Sequence, residues 1–189
     1  QLMIVHGEEY AEKSGTLEQR VISIPGARGS ILDRNGLPLA YDEKSYNVQF
    51  YRDPTQNTET DRAFYTSVII STIDIIEKNN GKMIDTFVIK YDDTTDQYYF
   101  DWGIENEENQ KSRETSWRKN MYVGEKRTPE EIYFYLRDKY QIPPEMGYDE
   151  VRKVLSVWQE SQLNSWVAYE PVTIAYNVSM QAVAEIETH

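Results

Sequence analysis

The sequence contains no cysteine, only two histidines, and no apolar run near the roughly 18–20 residues needed to cross a bilayer. Without cysteine there are no thiol nucleophiles, disulfides or cysteine metal sites, although the compartment stays open. His6 and His189 sit near opposite ends. That excludes a histidine-rich metal site or a Ser-His-Asp triad within the chain. Gln1-Leu2-Met3-Ile4-Val5-His6 lacks the basic start and long apolar stretch of a signal peptide. A soluble piece of a larger membrane protein remains compatible with all of this. Positive charge is also scarce: 20 Lys+Arg face 32 Asp+Glu, for a net charge of −12. So acidic a chain is a poor match for phosphate backbones or anionic lipid surfaces.

What is present points to a folded domain. A length of 189 residues suits one domain, or one domain with a smaller lobe. The mean hydropathy of −0.71 leans towards disorder, but 13% aromatic residues, with 15 Tyr and 4 Trp, lean the other way. Arg20-Val21-Ile22-Ser23-Ile24 alternates as a strand does, and Pro25-Gly26 interrupts it. Asn35-Gly36 is a strong hairpin signal, because both residues tolerate positive φ. Residues 45–51 alternate again. Residues 60–79 are expected to be helical, with Phe64, Val68, Ile69, Ile73 and Ile76 forming the apolar stripe and Asn79-Asn80-Gly81 the stop. Residues 84–91 and 97–102 read as a hairpin around Asp92-Asp93-Thr94-Thr95-Asp96. Residues 105–120 read as a solvated helix plus loop.

Thr128-Pro129-Glu130-Glu131 opens a further helix with a hydroxyl cap, a proline in the first turn and a glutamate three residues on. Val151, Val154, Leu155 and Trp158 mark another helix; a strand over 172–176 and a short helix capped by Ser179 follow. Without regular β-α alternation the class is α+β. The expected organisation is a strand-rich segment over 1–56, a mainly helical lobe with one hairpin over 57–168, and a returning strand and short helix over 169–189.

Patterns that invite chemistry do not hold up. Counting from Asp92, a calcium loop needs glycine at its sixth position and a carboxylate at its twelfth; the chain has Gln97 and Gly103 there. A polar hairpin tip is the better reading. Asn177-Val178-Ser179 matches a glycosylation acceptor, but Ser179 serves better as a helix cap. Ser116-Trp117-Arg118-Lys119, Ser45-Tyr46-Asn47 and Lys13-Ser14-Gly15 resemble the S-x-x-K, S-x-N and K-T-G set of serine acyl-transfer enzymes. They run in reverse order, each fixes few positions, and Ser116 lacks an exposed strand-to-helix turn, so the set is rejected as catalytic.

Arg28-Gly29-Ser30-Ile31-Leu32-Asp33-Arg34-Asn35-Gly36-Leu37-Pro38-Leu39-Ala40 resembles the R-G-x-I-x-D-R-N-G-x-x-L-A signature of class B penicillin-binding proteins, at nine of its thirteen positions. In that family the segment belongs to the non-catalytic pedestal, or dimerisation, domain. Residues 1–10, 46–48, 169–175 and 178–187 look like the family's flanking passages, and the long middle resembles the larger inserts of Gram-positive members. The resemblance implies an elongated α+β pedestal with β-hairpins and several helices, on the extracytoplasmic face of a bacterial membrane. A membrane helix would precede the chain and a serine D,D-transpeptidase domain would follow it. Implied partners are that transpeptidase domain, a SEDS-type glycan polymerase and other cell-wall synthesis proteins, with a homodimer left open and nucleic acid excluded.

The resemblance implies no catalytic residue, cofactor or metal ligand in this segment. Arg28, Gly29, Ile31, Asp33, Arg34, Asn35, Gly36, Leu39 and Ala40 would either stitch the pedestal together, through an Asp33–arginine pair and a tight turn, or present an edge strand to a partner. Two other classes stay open: a free-standing adhesin-like or glycan-binding module using its aromatic residues, and a hydrolase with a carboxylate pair.

Overall fold

A computed structural model describes residues 20–23, 31–32, 34, 38–40, 46–165 and 170–188. The alternating strand signals at the start of the chain become β1 (Arg20–Ser23), β2 (Ile31–Leu32), β3 (Pro38–Ala40) and β4 (Tyr46–Phe50). β2 and β3 pair antiparallel, Ile31 opposite Ala40, as the intervening Asn35-Gly36 leads one to expect. That dipeptide itself lies outside the described residues.

α1 (Glu59–Lys78) starts at a reciprocal cap. The Thr58 hydroxyl accepts the Asp61 amide at 3.1 Å, and the Asp61 carboxylate accepts the Thr58 amide at 2.8 Å. Its buried stripe is Tyr65, Thr66, Ile69, Thr72, Ile73, Ile75 and Ile76. The expected stripe is therefore rotated: Phe64 is 46% exposed and Tyr65 takes the core position. The tyrosine wins because its hydroxyl finds partners there, accepting from the Asp53 amide and donating to Gln56. The helix stops at Asn79, and the Gly81 amide donates back to Ile76 O at 2.8 Å. A Cβ on Gly81 would lie 2.6 Å from Ile76 Cγ2 and 2.9 Å from Ile76 O, so the close approach requires glycine.

The chain then forms β5 (Lys82–Met83), β6 (Ile89–Asp92) and β7 (Gln97–Phe100). The second hairpin is shorter than expected. β6 begins at Ile89, while the Ile84 amide donates to Ile174 O at 2.8 Å and so belongs to the main sheet's edge. Three helices follow: α2 (Glu107–Met121), α3 (Pro129–Lys139) and α4 (Tyr148–Leu163). α2 is solvated as expected, with Trp117 and Met121 as its buried residues. The last elements are β8 (Val172–Val178) and α5 (Met180–Thr188), whose entry is capped by Ser179 Oγ accepting the Ala182 amide at 3.2 Å.

Among the described residues the main sheet has the order β1-β4-β8-β5, every pairing antiparallel, with β2-β3 and β6-β7 as separate hairpins. The fold is α+β. β8, late in the chain, lies between early strands, opposing Phe50 with Val172 and Val48 with Ala175. α1 packs against β5, α4 and α5, and α4 also touches α2, α3 and β8. At the centre Trp158 of α4 is buried, stacked on Tyr140 at 4.3 Å and edge-on to Tyr65 and Phe50. Its indole N–H donates to Thr66 Oγ1 at 2.9 Å, so burial leaves the indole paired, whereas the buried Tyr140 hydroxyl has no hydrogen-bond partner among the described residues.

Candidate functional site

Three features stand out. The first is the hairpin carrying the thirteen-residue signature. Ile31, Leu39 and Ala40 lie on the paired strands β2 and β3, and Arg34 is exposed in the turn between them. Arg28, Gly29, Asp33, Asn35 and Gly36 lie outside the described residues, and so does the expected Asp33–arginine pair.

The second is the junction between α5 and the rest. Glu185 of α5 receives Lys78 Nζ at 2.5 Å and Asn79 Nδ2 at 3.2 Å, from the C-terminal end of α1. A carboxylate here also carries the cation and amide that finish α1, where the helix dipole is negative. Ala182, Val183 and Ile186 bury the opposite face of α5. The last helix is thus fastened to both the sheet and α1.

The third is an open cleft of about 590 Å³ between α2, α4 and the β6–β7 hairpin. Its inner wall is locked. Arg152 Nη2 pairs with Asp85 at 2.9 Å, and Lys90 pairs with Asp101. The lysine and the Gly103 amide hold the Asp101 carboxyl below the ordinary aspartate range. Behind them buried Gln159 uses both ends of its amide: Oε1 accepts the Trp117 indole N–H at 3.0 Å and the Val88 amide at 3.3 Å, while Nε2 donates to Thr86 O at 2.8 Å. Trp102 forms an aromatic side of the cleft, stacked on Phe100 at 5.3 Å and edge-on to Trp117 at 6.1 Å.

The rejected motifs fall only partly on the described residues. Ser116 is exposed on α2, at the rim of the cleft, while Ser45 and Lys13 lie outside the described residues. Asp92-Asp93-Thr94-Thr95-Asp96 is a hairpin tip: Asp92 accepts the Thr94 amide at 2.9 Å, and Asp96, at φ 56°, accepts the Tyr91 hydroxyl at 2.6 Å. No group of three or more His, Asp or Glu side chains is placed to hold a metal ion among the described residues. Among them, too, no helix is long and apolar enough to cross a membrane.

Sequence reasoning missed the cleft altogether. Its walls come from separate stretches, and the single sequence trace is Arg113, Ser116, Trp117 and Asn120, spaced to share one face of α2.

An α+β domain with a signature hairpin near its start and a fastened helix near its end is what these elements define. A family model for the penicillin-binding protein dimerisation domain matches residues 23–189, spanning the signature, strands β2 to β8 and the five helices among the described residues. The chain belongs to that family: it is a non-catalytic domain of a penicillin-binding protein.

Proposed function

We propose that the domain is an extracytoplasmic pedestal. It fixes a serine D,D-transpeptidase domain of the same protein at a set distance and angle from the membrane, and it offers the signature hairpin to a SEDS-type glycan polymerase. The parent's chemistry is acylation of a serine by a peptide stem and transfer to a neighbouring stem; no residue here performs it. The larger helical lobe favours a Gram-positive parent.

The observation that supports positioning most is the strand order. β1, which follows in sequence the stretch that resembles the family's juxtamembrane segment, pairs with β4, and β4 pairs on its other side with β8, which leads into α5. A sheet resists shear through its backbone ladder, and Glu185 fastens α5 to α1. Orientation imposed at one end therefore passes to the other through paired strands and not through a flexible tether. The test is to purify the full-length parent and the 189-residue chain and expose both to a fluorescent β-lactam. The parent should label and the chain should not. The chain should also capture the glycan polymerase from detergent extracts, and Arg34→Glu should weaken that capture without lowering the melting temperature. Labelling of the chain, or capture indifferent to Arg34, contradicts the reading.

A further inference from the structure

The cleft between α2, α4 and the β6–β7 hairpin is unusual in how its two walls use polar groups. On the inner wall Asp85 pairs with Arg152 Nη2, Lys90 with Asp101, and Gln159 with the backbone and the Trp117 indole, while the buried Arg152 Nε has no hydrogen-bond partner among the described residues. The facing wall is different. Arg113, Ser116 and Asn120 project from one face of α2, exposed, and their side chains have no hydrogen bond or ion pair among the described residues. Glu160, across the cleft, is engaged by the Thr86 hydroxyl and the Gln159 amide but by no cation. The chain as a whole is strongly acidic, at −12. The cleft is not: Lys90, Arg113 and Arg152 balance Asp85, Asp101 and Glu160.

That combination has a chemical meaning. An aromatic ring, held from behind by Phe100, offers a flat apolar surface suited to the C–H face of a sugar ring. Planar polar side chains around it, Asn120 and Glu160, suit ring hydroxyls. Arg113, a free guanidinium at the rim, suits a carboxylate, which it can hold through two parallel N–H bonds. The volume of about 590 Å³ lies within the range of small-ligand clefts. An acidic peptide lacks the ring face, and the balanced charge gives it no attraction. Phosphate chains fare worse in so acidic a protein.

We propose that this cleft binds a carboxylate-bearing saccharide of about two rings, with Trp102 as the stacking surface, Arg113 as the carboxylate partner, and Asn120 and Glu160 as hydroxyl partners. The assignment stands on the cleft alone and survives if the positioning role fails. Two sources share the chemistry: the lactyl ether of muramic acid in wall glycan, and uronic acids in accessory polymers.

The experiment uses the 189-residue chain, uniformly ¹⁵N-labelled, titrated with three disaccharides. These are N-acetylglucosaminyl-N-acetylmuramic acid, a uronic acid disaccharide, and neutral di-N-acetylchitobiose. The Trp102 and Trp117 indole signals should shift saturably while that of Trp158, buried elsewhere, stays fixed. At least one acidic sugar should bind about tenfold tighter than the neutral one, as one charged hydrogen-bonded pair implies. The acidic sugar that wins identifies the source. Arg113→Gln, at an exposed position, should erase that tenfold preference and leave the neutral affinity intact; Trp102→Ala should weaken all three. The proposal is overturned if no sugar moves the Trp102 signal saturably, or if chitobiose binds as tightly as both acids. It is equally overturned if a tetraglutamate peptide without any sugar produces the same shifts.

Discussion

The sheet side and the cleft side of this domain are held together by different means. Around the sheet, Val48, Ile174, Ala175 and Val178 are buried in one cluster with Ile69, Ile73 and Ile76 of α1 and Ala182 and Ile186 of α5. This is an aliphatic core whose polar groups are spent on the strand ladder. Around the cleft, the buried groups include Phe87, Trp117, Ser156 and Gln159, and side-chain hydrogen bonds link segments far apart in sequence. Aliphatic packing tolerates substitution if volume is kept. A buried hydrogen-bond network does not, because each lost partner strands another group. The sheet is thus built to hold its shape through change, and the cleft to hold one arrangement of polar atoms.

Trp158 is where the two sides meet, and its removal should do the most damage. Trp158→Ala vacates the space against Tyr140, Tyr65 and Phe50 and removes the indole donor from the Thr66 hydroxyl, which keeps its own bond to Tyr140 O. The expected loss is about 3–5 kcal/mol, read as a fall in melting temperature on the order of 10 °C. Both sides should melt together; separate transitions would break the comparison by showing two independent units. Next comes Gln159→Leu, which keeps the volume and deprives the Trp117 indole, the Val88 amide and the Thr86 carbonyl of their partner. A loss of about 1–3 kcal/mol is expected. Amide exchange should quicken around 86–88 and 117 while β4 and β8 stay protected.

A smaller effect is expected at the helix entries. Thr128→Ala removes the acceptor for the Glu131 amide and should cost about 1 kcal/mol by chemical denaturation. The same change at Thr58, on the sheet side, should match it, since both caps share one geometry.

Alkaline pH should separate the two sides more gently. Burial raises the pKa of Tyr98, Tyr133 and Tyr148, which pack together near the turn end of the β6–β7 hairpin. The Asp96 carboxylate pushes Tyr91 up to about 12. For each, the folded value lies above the unfolded one. The stability they confer is present below about pH 10 and is lost as pH climbs towards the folded values. Absorbance at 295 nm should therefore show a late class of tyrosines ionising together with loss of hairpin protection. Ordinary ionisation of all fifteen tyrosines near pH 10 would count against the packing described.

Most of the elements could be read from the residues because they rest on local rules. The capping box at Thr128-Pro129-Glu130-Glu131 and the period of Val151, Val154, Leu155 and Trp158 appear as α3 and α4 with little change. Errors arose where tertiary contacts outweighed the local pattern. Phe64 and Tyr65 are equally apolar in a periodicity count, but only Tyr65 reaches Asp53 and Gln56. Ile84 looked like hairpin because nothing local shows that its amide meets Ile174. The cleft was invisible for the same reason in stronger form: Asp85, Trp102, Arg113 and Glu160 share no motif and become neighbours only through the packing of α2 on α4. The signature hairpin was legible as a pairing of strands, and its turn residues other than Arg34 lie outside the described set.

The most direct test of the positioning role lies at Glu185, which ties α5 to α1 on the exposed side of the junction. In the full-length parent, Glu185→Ala should leave the melting temperature within about 2 °C, since partly exposed ion pairs contribute little. It should also leave the rate of β-lactam acylation unchanged. If the proposed pedestal role holds, crosslinking of glycan made by the proposed partner polymerase should fall several-fold, because the proposed transpeptidase domain would be folded but no longer held in place. Full crosslinking by a folded Glu185→Ala protein would contradict the claim that this domain works by holding its neighbour in a fixed orientation.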